Sequence, residues 1–492
     1  MQIFKLKNTL HTLLLLAVVF VFSACNKEDN SSPAPTPADK KEDINESIVI
    51  LHINDVHGNI DAFPQMAAFI NGVKDTCENV FVLCAGDVFS GNPMVDMHLD
   101  KGYPMIDLMN KINVDLAVIG NHEFDYGQTI LNQRIAQAEF PFICANIDAT
   151  SGILNQPEAY KVLKSKEGFE IVTLGLIETG TKVEEKYIPS THPDKVLGCE
   201  FPYYKTEIKK YTHLKEKDNL FIILSHLGIG SDETLANDNP EIDLIIGGHS
   251  HATVHQPQIF NNALVCQAGS NGKHIGVVHI QVKNKAVVSK NAYLKNMNDY
   301  GEKDDDIQEV VNDYNNNNNP ILYEKLGTAT HPLNSKDELG SLMTDAITWK
   351  YNVDIAFQNS GGIRNKLPEG DILAKDVYKI DPFGNEVIKF TLTHKELFTL
   401  IKNSRMGDLK PSGMQIVYYQ SGYIGLNDMQ GNRLDVDKTY TVAMNSYIAS
   451  AYNFEHVDSG ENTKETSVQA LIDYIKFKKQ IDYKDVIRIF NE

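Results

Sequence analysis

Residues 47–57 read Ser47-Ile-Val-Ile-Leu-His-Ile-Asn-Asp55-Val-His57: seven residues of strand-forming sequence that end in two metal-competent side chains. The same arrangement recurs downstream. VFVLCAG (80–86) precedes Asp87, DLAVIG (115–120) precedes Asn121 and His122, LFIILS (220–225) precedes His226, and IDLIIGG (242–248) precedes His249 and His251. Nearly unbroken Val, Ile and Leu over about four to eight residues marks a strand buried on both faces. EIVTLGLI (170–177) is another such run, and the amphipathic stretch from Phe63 to Lys74 fits a crossover helix. The segment up to about residue 290 therefore reads as a layered α/β domain with polar residues at its strand ends.

The chain has 492 residues, more than one ordinary core accommodates. Its formal net charge of −19 disfavours a nucleic-acid polymer or an anionic membrane surface as main partner. Lys5 and Lys7 followed by the apolar run Leu13 to Phe22 form a targeting segment, too short to span a bilayer. It closes in Phe22-Ser23-Ala24-Cys25, which resembles a bacterial lipobox with Cys25 as the acylated residue, and Asn26-Lys27-Glu28-Asp29 resembles a surface-export tag. Residues 26–46 are rich in Pro, Ala, Lys and Glu and read as a tether. Cys77, Cys84, Cys144, Cys199 and Cys266 do not form a disulfide framework, although a Cys77–Cys199 bridge stays open. A helical pattern from Asp304 to Tyr314 breaks at Asn315–Asn319 and Pro320. Beyond it lies a second α/β segment with strands near 354–358, 386–393, 415–420 and 439–445 and a closing helix over 467–478.

Asp55, His57, Asp87, Asn121, His226, His249 and His251 supply seven donors, too many for one tetrahedral ion and suited to two metals sharing a carboxylate, for which Asp87 is the natural bridge. Residues two apart on an extended chain point the same way, so Asp-Val-His and His-Ser-His can each aim two ligands at one centre. The glycines at 86, 120, 247 and 248 allow sharp turns and leave room for metal and substrate. Two divalent ions against two carboxylates leave a surplus of about two positive charges, which suits a phosphate dianion. A lone histidine is more often structural, so His52, His98, His255, His274, His279 and His331 are set aside.

The series Asp55-Val-His57, Gly86-Asp87, Gly120-Asn121-His122-Glu123, His226 and Gly248-His249-Ser250-His251 resembles the calcineurin-like metallophosphoesterases. The extension to Asp125-Tyr-Gly127 and the separate C-terminal segment narrow the resemblance to the 5′-nucleotidase family. It implies a four-layer αββα sandwich over 47–300, a linker helix at 301–320 and a smaller α/β substrate-binding domain at 321–492, after a signal peptide (1–25) and the tether (26–46). One metal would take Asp55, His57, Asp87 and His251, and the other Asp87, Asn121, His226 and His249, with Mn, Zn or Co as the ions. A metal-bound hydroxide would attack phosphorus in line, with His122 and Asp125 as a catalytic dyad. Asn359, Gly362 and Arg364 in one loop, Phe383 and Asn385 in another, and Tyr447 would read the nucleotide substrate. Two features depart from the family. No arginine precedes the helix that begins near Leu339, where Lys336 is the cation present, and Ser450-Ala-Tyr-Asn453 lacks the glycine-acid turn that holds ribose. The resulting expectation is a lipid-anchored, extracytoplasmic nucleotide phosphohydrolase with no obligate protein partner. A 2′,3′-cyclic nucleotide phosphodiesterase, a UDP-sugar hydrolase, a related sulfur-ester hydrolase and a non-catalytic surface binding protein are the alternatives.

Overall fold

The computed structural model describes residues 45–183, 186–316 and 320–492. The targeting run, Cys25 and most of the tether lie outside the described residues. No described helix is long and apolar enough to cross a membrane.

The apolar runs form strands in two six-stranded sheets. In the first, the order is Ala286–Asn296, His274–Lys283, Asn45–Ile53, Asn79–Cys84, Leu116–Val118 and Phe142–Ile143. The second runs Gln258–Phe260, Ala263–Gln267, Leu244–Gly247, Asn219–His226, Glu170–Ile177 and Tyr160–Lys164. Alternation along each strand divides the apolar side chains between two layers. Ile48, Ile50 and Leu83 from one sheet meet Leu220, Ile222 and Leu244 from the other in a core between the sheets. Val49, Leu51 and Val82 face outward onto the helices Phe63–Lys74 and Tyr103–Lys111, and Phe221 and Ile245 face the helix Ile229–Asp238. The result is the αββα layering expected.

The outer hairpin of the first sheet is not evident from the sequence pattern. His274–Lys283 and Ala286–Asn296 join through Asn284 and Lys285, both at positive φ (51° and 59°), the backbone of a type I′ turn. The hairpin pairs antiparallel with Asn45–Ile53, so it seals the edge beside the first ligand strand.

The helix Asp305–Asn316 packs on the first layer, burying Ile307 and Val311 and hydrogen-bonding Tyr314 to Asp107 at 2.8 Å. Beyond it, a five-stranded sheet (Leu409–Ser412, Ile355–Asn359, Thr439–Asn445, Glu386–Thr393, Glu461–Thr466) packs against Lys336–Tyr351 and Ser467–Lys478. The first of these helices begins at Lys336 rather than near Leu339, because Ser335 and Glu338 form a capping box. All five cysteines among the described residues are free thiols, which removes the Cys77–Cys199 bridge.

Candidate active site

Register brings the ligand loops together. Asn45–Ile53 runs parallel to Asn79–Cys84 with Ile53 opposite Cys84, and Leu244–Gly247 runs parallel to Asn219–His226 with Gly247 opposite Ser225. The ladder continues past the strands: Asp55 N–H donates to Gly86 O (3.0 Å), His57 N–H to Asp87 O (3.1 Å) and Gly58 N–H to Val88 O (2.9 Å). The two sheets are tied across the site by His226, whose Nδ1 lies 2.7 Å from Ala85 O.

Five of the seven ligand backbones are left-handed rather than extended. Asp55, His57, Asp87, His249 and His251 all adopt positive φ, between 50° and 73°. Strand alternation therefore does not explain how Asp55 and His57, or His249 and His251, converge; left-handed turns do. Of the glycines, Gly86 supplies a positive φ of 82°. Gly120 and Gly248 serve close approach, since a Cβ would collide with Asp87 at the first and with Ala85 O at the second.

The donors form overlapping clusters, Asp55–His57–His251, His57–Asp87–His122 and Asp87–His226–His249, with ligand atoms in each within 4.8 Å of one another. Asn121 joins through its Oδ1, 3.0 Å from His249 Nδ1, while its amide donates to Ser190 O (3.1 Å). His57 Nε2 and His251 Nε2 face each other at 3.0 Å, and His226 Nε2 lies 3.0 Å from Asp87 Oδ2. The last pair tests the fit to a metal. With His226 Nδ1 donating to Ala85 O, the neutral ring turns a bare lone pair on a carboxylate oxygen, which only a shared cation or a proton reconciles. The electrostatics agree: burial alone would lower the His226 pKa, but the Asp87 carboxylate outweighs it and carries it up to about 10. Burial holds His57, His249 and His251 below the ordinary imidazole value, leaving neutral nitrogens free to ligate. This oxygen–nitrogen donor set suits two divalent ions. None of His52, His98, His255, His274, His279 and His331 enters these clusters.

His122 Nδ1 lies 2.7 Å from Asp125 Oδ2, and its Nε2 lies 3.9 Å from Asp87 Oδ2. Burial would lower the His122 pKa, but Asp125 and Asp87 together raise it above the ordinary value. Arg364 reaches across from the C-terminal segment to place Nη2 3.0 Å from His57 Nε2, so its fork stands at the metal end of the cavity. Asn359, Gly362, Phe383, Asn385 and Tyr447 line the same cavity, of about 830 Å³. Phe383 stacks on His122 with ring centroids 5.6 Å apart. Asn359 ends the strand Ile355–Asn359 and Tyr447 follows its parallel neighbour Thr439–Asn445, and Asn445 Nδ2 donates to Asn359 Oδ1 at 2.9 Å. Lys336 does not line the cavity; its Nζ donates to Ser360 O at 2.6 Å.

Sequence reasoning missed the residues that hold these groups. Glu123, fully buried, accepts the N–H groups of Asp87 (2.9 Å), Val88 (2.8 Å) and Gly120 (2.6 Å). Its place in the Asn121-His122-Glu123 run was the available signal. Glu178 accepts Gly180 N–H (2.5 Å) and Ser190 N–H, closing the base of the Thr181–Val183/Lys186–Ile188 ribbon. That ribbon meets the other segment: Thr181 hydrogen-bonds the Tyr447 hydroxyl, and His192 Nε2 lies 3.4 Å from Ser450 Oγ. The irregular sequence of 178–195 carried no sign of this.

Comparison with known proteins follows the same division. Residues 48–253 match the family model for calcineurin-like phosphoesterases, and residues 325–458 match that for the 5′-nucleotidase C-terminal domain. The chain is 26% identical to the trifunctional nucleotide phosphoesterase protein YfkN of Bacillus subtilis over 92% of its own length, and it spans 35% of that relative. It is 26% identical to the 5′-nucleotidase of Vibrio cholerae, covering 91% of this chain and 94% of the relative. The crystal structure of a 5′-nucleotidase precursor from Thermus thermophilus superposes with a TM-score of 0.80 at 23% identity, covering 90% of this chain and 99% of that one.

Proposed function

We propose, on the premise that the chain belongs to the 5′-nucleotidase family of calcineurin-like phosphoesterases, that it hydrolyses nucleotide phosphate esters, with nucleoside 5′-monophosphates as substrates. The observation that carries this reading is the meeting, in one cavity, of a donor cluster around Asp87, the His122–Asp125 pair, Arg364 and an aromatic pair. Asp55, His57, Asp87 and His251 would hold one divalent ion, and Asp87, Asn121, His226 and His249 the other, with Mn, Zn or Co suited to the set. When bound, the ions neutralise phosphate charge and make water a nucleophile near neutral pH.

The chain's own residues do the rest. Arg364 offers two parallel N–H donors to phosphate oxygens. Asp125 holds His122 by Nδ1 and, with Asp87, outweighs burial to raise its pKa above the ordinary value, which favours the protonated ring whose Nε2 can donate to the oxygen on which charge develops. Phe383 and Tyr447 offer ring faces to the base and Asn385 an amide to its edge. We place the catalytic domain at 47–300 and the substrate domain at 321–492, joined through 301–320, and read Phe22-Ser23-Ala24-Cys25 as supporting export and acylation at Cys25.

The test is phosphate release by protein stripped with chelator and reloaded with Mn, Zn or Co. The panel contains nucleoside monophosphates, 2′,3′-cyclic nucleotides, UDP-sugars and p-nitrophenyl phosphate. Activity on the monophosphates supports the reading. Failure of the reloaded protein on every ester overturns it, and preference for the cyclic or sugar-linked substrates reassigns the substrate.

A further inference from the structure

The carboxylate of Asp125 has a second close donor. Ser90 Oγ lies 2.5 Å from Asp125 Oδ2, the same oxygen that faces His122 Nδ1 at 2.7 Å. Ser90 is 2% exposed and sits at φ 55°, a left-handed backbone that non-glycine residues rarely adopt. Such a conformation persists where neighbouring structure over-determines it, and here the restraints are visible. The Ser90 N–H donates to Tyr126 Oη at 3.2 Å. Tyr126 Oη in turn donates to Asp96 Oδ1, and Asp96 Oδ2 accepts the N–H of Gly91 at 3.1 Å. Asp96, itself 8% exposed, lies in the short helix Pro93–Asp96, whose N-cap Asn92 donates to Gly58 O at 2.8 Å. A closed chain of contacts thus runs from a buried carboxylate, through a tyrosine, to the hydroxyl that meets Asp125.

We propose that Ser90 is a positioning residue for the His122–Asp125 pair: its hydroxyl fixes the Asp125 carboxylate, and the Tyr126–Asp96 pair holds Ser90 in the strained backbone that aims it. The inference rests on the reading of the site as a phosphoesterase, in which His122 acts on the substrate. Without the hydroxyl, Asp125 keeps His122 Nδ1 but loses the contact that sets the carboxylate's rotation. Thr191 Oγ1, 3.5 Å from the other carboxylate oxygen, is too distant to replace it.

The test uses metal-loaded protein carrying Ser90→Gly or Ser90→Ala. Glycine adopts positive φ freely, so Ser90→Gly removes the hydroxyl while easing the backbone. With p-nitrophenyl phosphate and a nucleoside monophosphate, kcat is expected to fall by about tenfold or more with KM within about twofold. Metal content by mass spectrometry should match wild type, and the Ser90→Gly melting temperature should not fall below it. In the zinc-loaded protein, the downfield imidazole N–H proton that disappears in His122→Gln should move upfield in Ser90→Gly. A kcat within twofold of wild type, an unmoved proton, or a loss of kcat that follows loss of metal overturns the positioning role while leaving the phosphoesterase reading intact. A reloaded wild type inactive on every ester overturns that reading, and this inference with it.

Discussion

Replacing Glu123 by glutamine isolates what holds the two ligand loops together. Its Oε2 accepts Asp87 N–H and Gly120 N–H, and its Oε1 accepts Val88 N–H, all inside a fully buried site. A glutamine can turn its carbonyl oxygen to the first two donors, but its amide then faces the N–H of Val88. One charge-assisted hydrogen bond is lost and two donors are opposed, so the expected destabilisation is about 2 to 3 kcal/mol. Alanine would orphan all three N–H groups at about 1 to 3 kcal/mol each, a large share of a typical total of about 5 to 15 kcal/mol. Urea unfolding by far-UV circular dichroism measures the loss, and the single tryptophan, Trp349, lies in the C-terminal sheet-and-helix layer and reports that part separately by fluorescence. Since Asp87 and Asn121 flank the loops that Glu123 ties, calorimetric titration of the glutamine variant should show weakened binding of divalent metal. A variant within about 0.5 kcal/mol of wild type, with unchanged metal affinity, would refute the reasoning.

Arg364→Ala is expected to lower kcat/KM on nucleotides and on p-nitrophenyl phosphate alike, because Nη2 stands beside His57 at the metal end; a loss confined to nucleotides would move Arg364 to the sugar. Tyr447→Ala should instead raise KM for nucleotides by about tenfold and leave p-nitrophenyl phosphate unchanged, the loss expected of one base–aromatic contact. Chelator stripping should abolish phosphate release and lower the melting temperature, with binding at a thousand times Kd worth about 4 kcal/mol. Asp345 pairs with Arg488 at 2.7 and 2.8 Å; burial would raise its pKa, but the Arg488 guanidinium, Ser412 and Tyr483 hold it below the ordinary 3.8. Its folded value is depressed, so its stabilising contribution is present above the unfolded pKa of about 4 and fades as pH falls through the folded value. Asp345→Asn should therefore cost about 3 kcal/mol at neutral pH, and the gap to wild type should close in acid.

The buried strands and their order of ligands were legible because continuous Val, Ile and Leu leave a pattern that survives without tertiary context. The helices Phe63–Lys74 and Ser467–Lys478 were legible to the residue, since amphipathic spacing agrees there with a helix-starting Pro64 in the first and an N-capping Thr466 in the second. The hairpin His274–Asn296 was not, because its turn is Asn-Lys rather than Asn-Gly and its outer strand, Ala286–Asn296, is a half-exposed edge with few buried side chains. The start of Lys336–Tyr351 was legible too, since Ser335 and Glu338 spell a Ser-x-x-Glu capping box; placing it near Leu339 overlooked that signal. At the site, the donors were visible as residue types at strand ends, whereas the carboxylates of Glu123 and Glu178 do their work on backbone N–H groups. Backbone partners leave no trace in composition or spacing.

The left-handed conformations of Asp55, His57, Asp87, His249 and His251 change how ligand mutants must be compared. Each such residue carries a conformational penalty of about 1 kcal/mol. Alanine tolerates that backbone no better than histidine does, whereas asparagine and glycine enter it readily. An alanine scan across these positions confounds lost coordination with backbone frustration. Glycine replacements at the same sites separate the two, since glycine removes the donor without imposing the backbone strain.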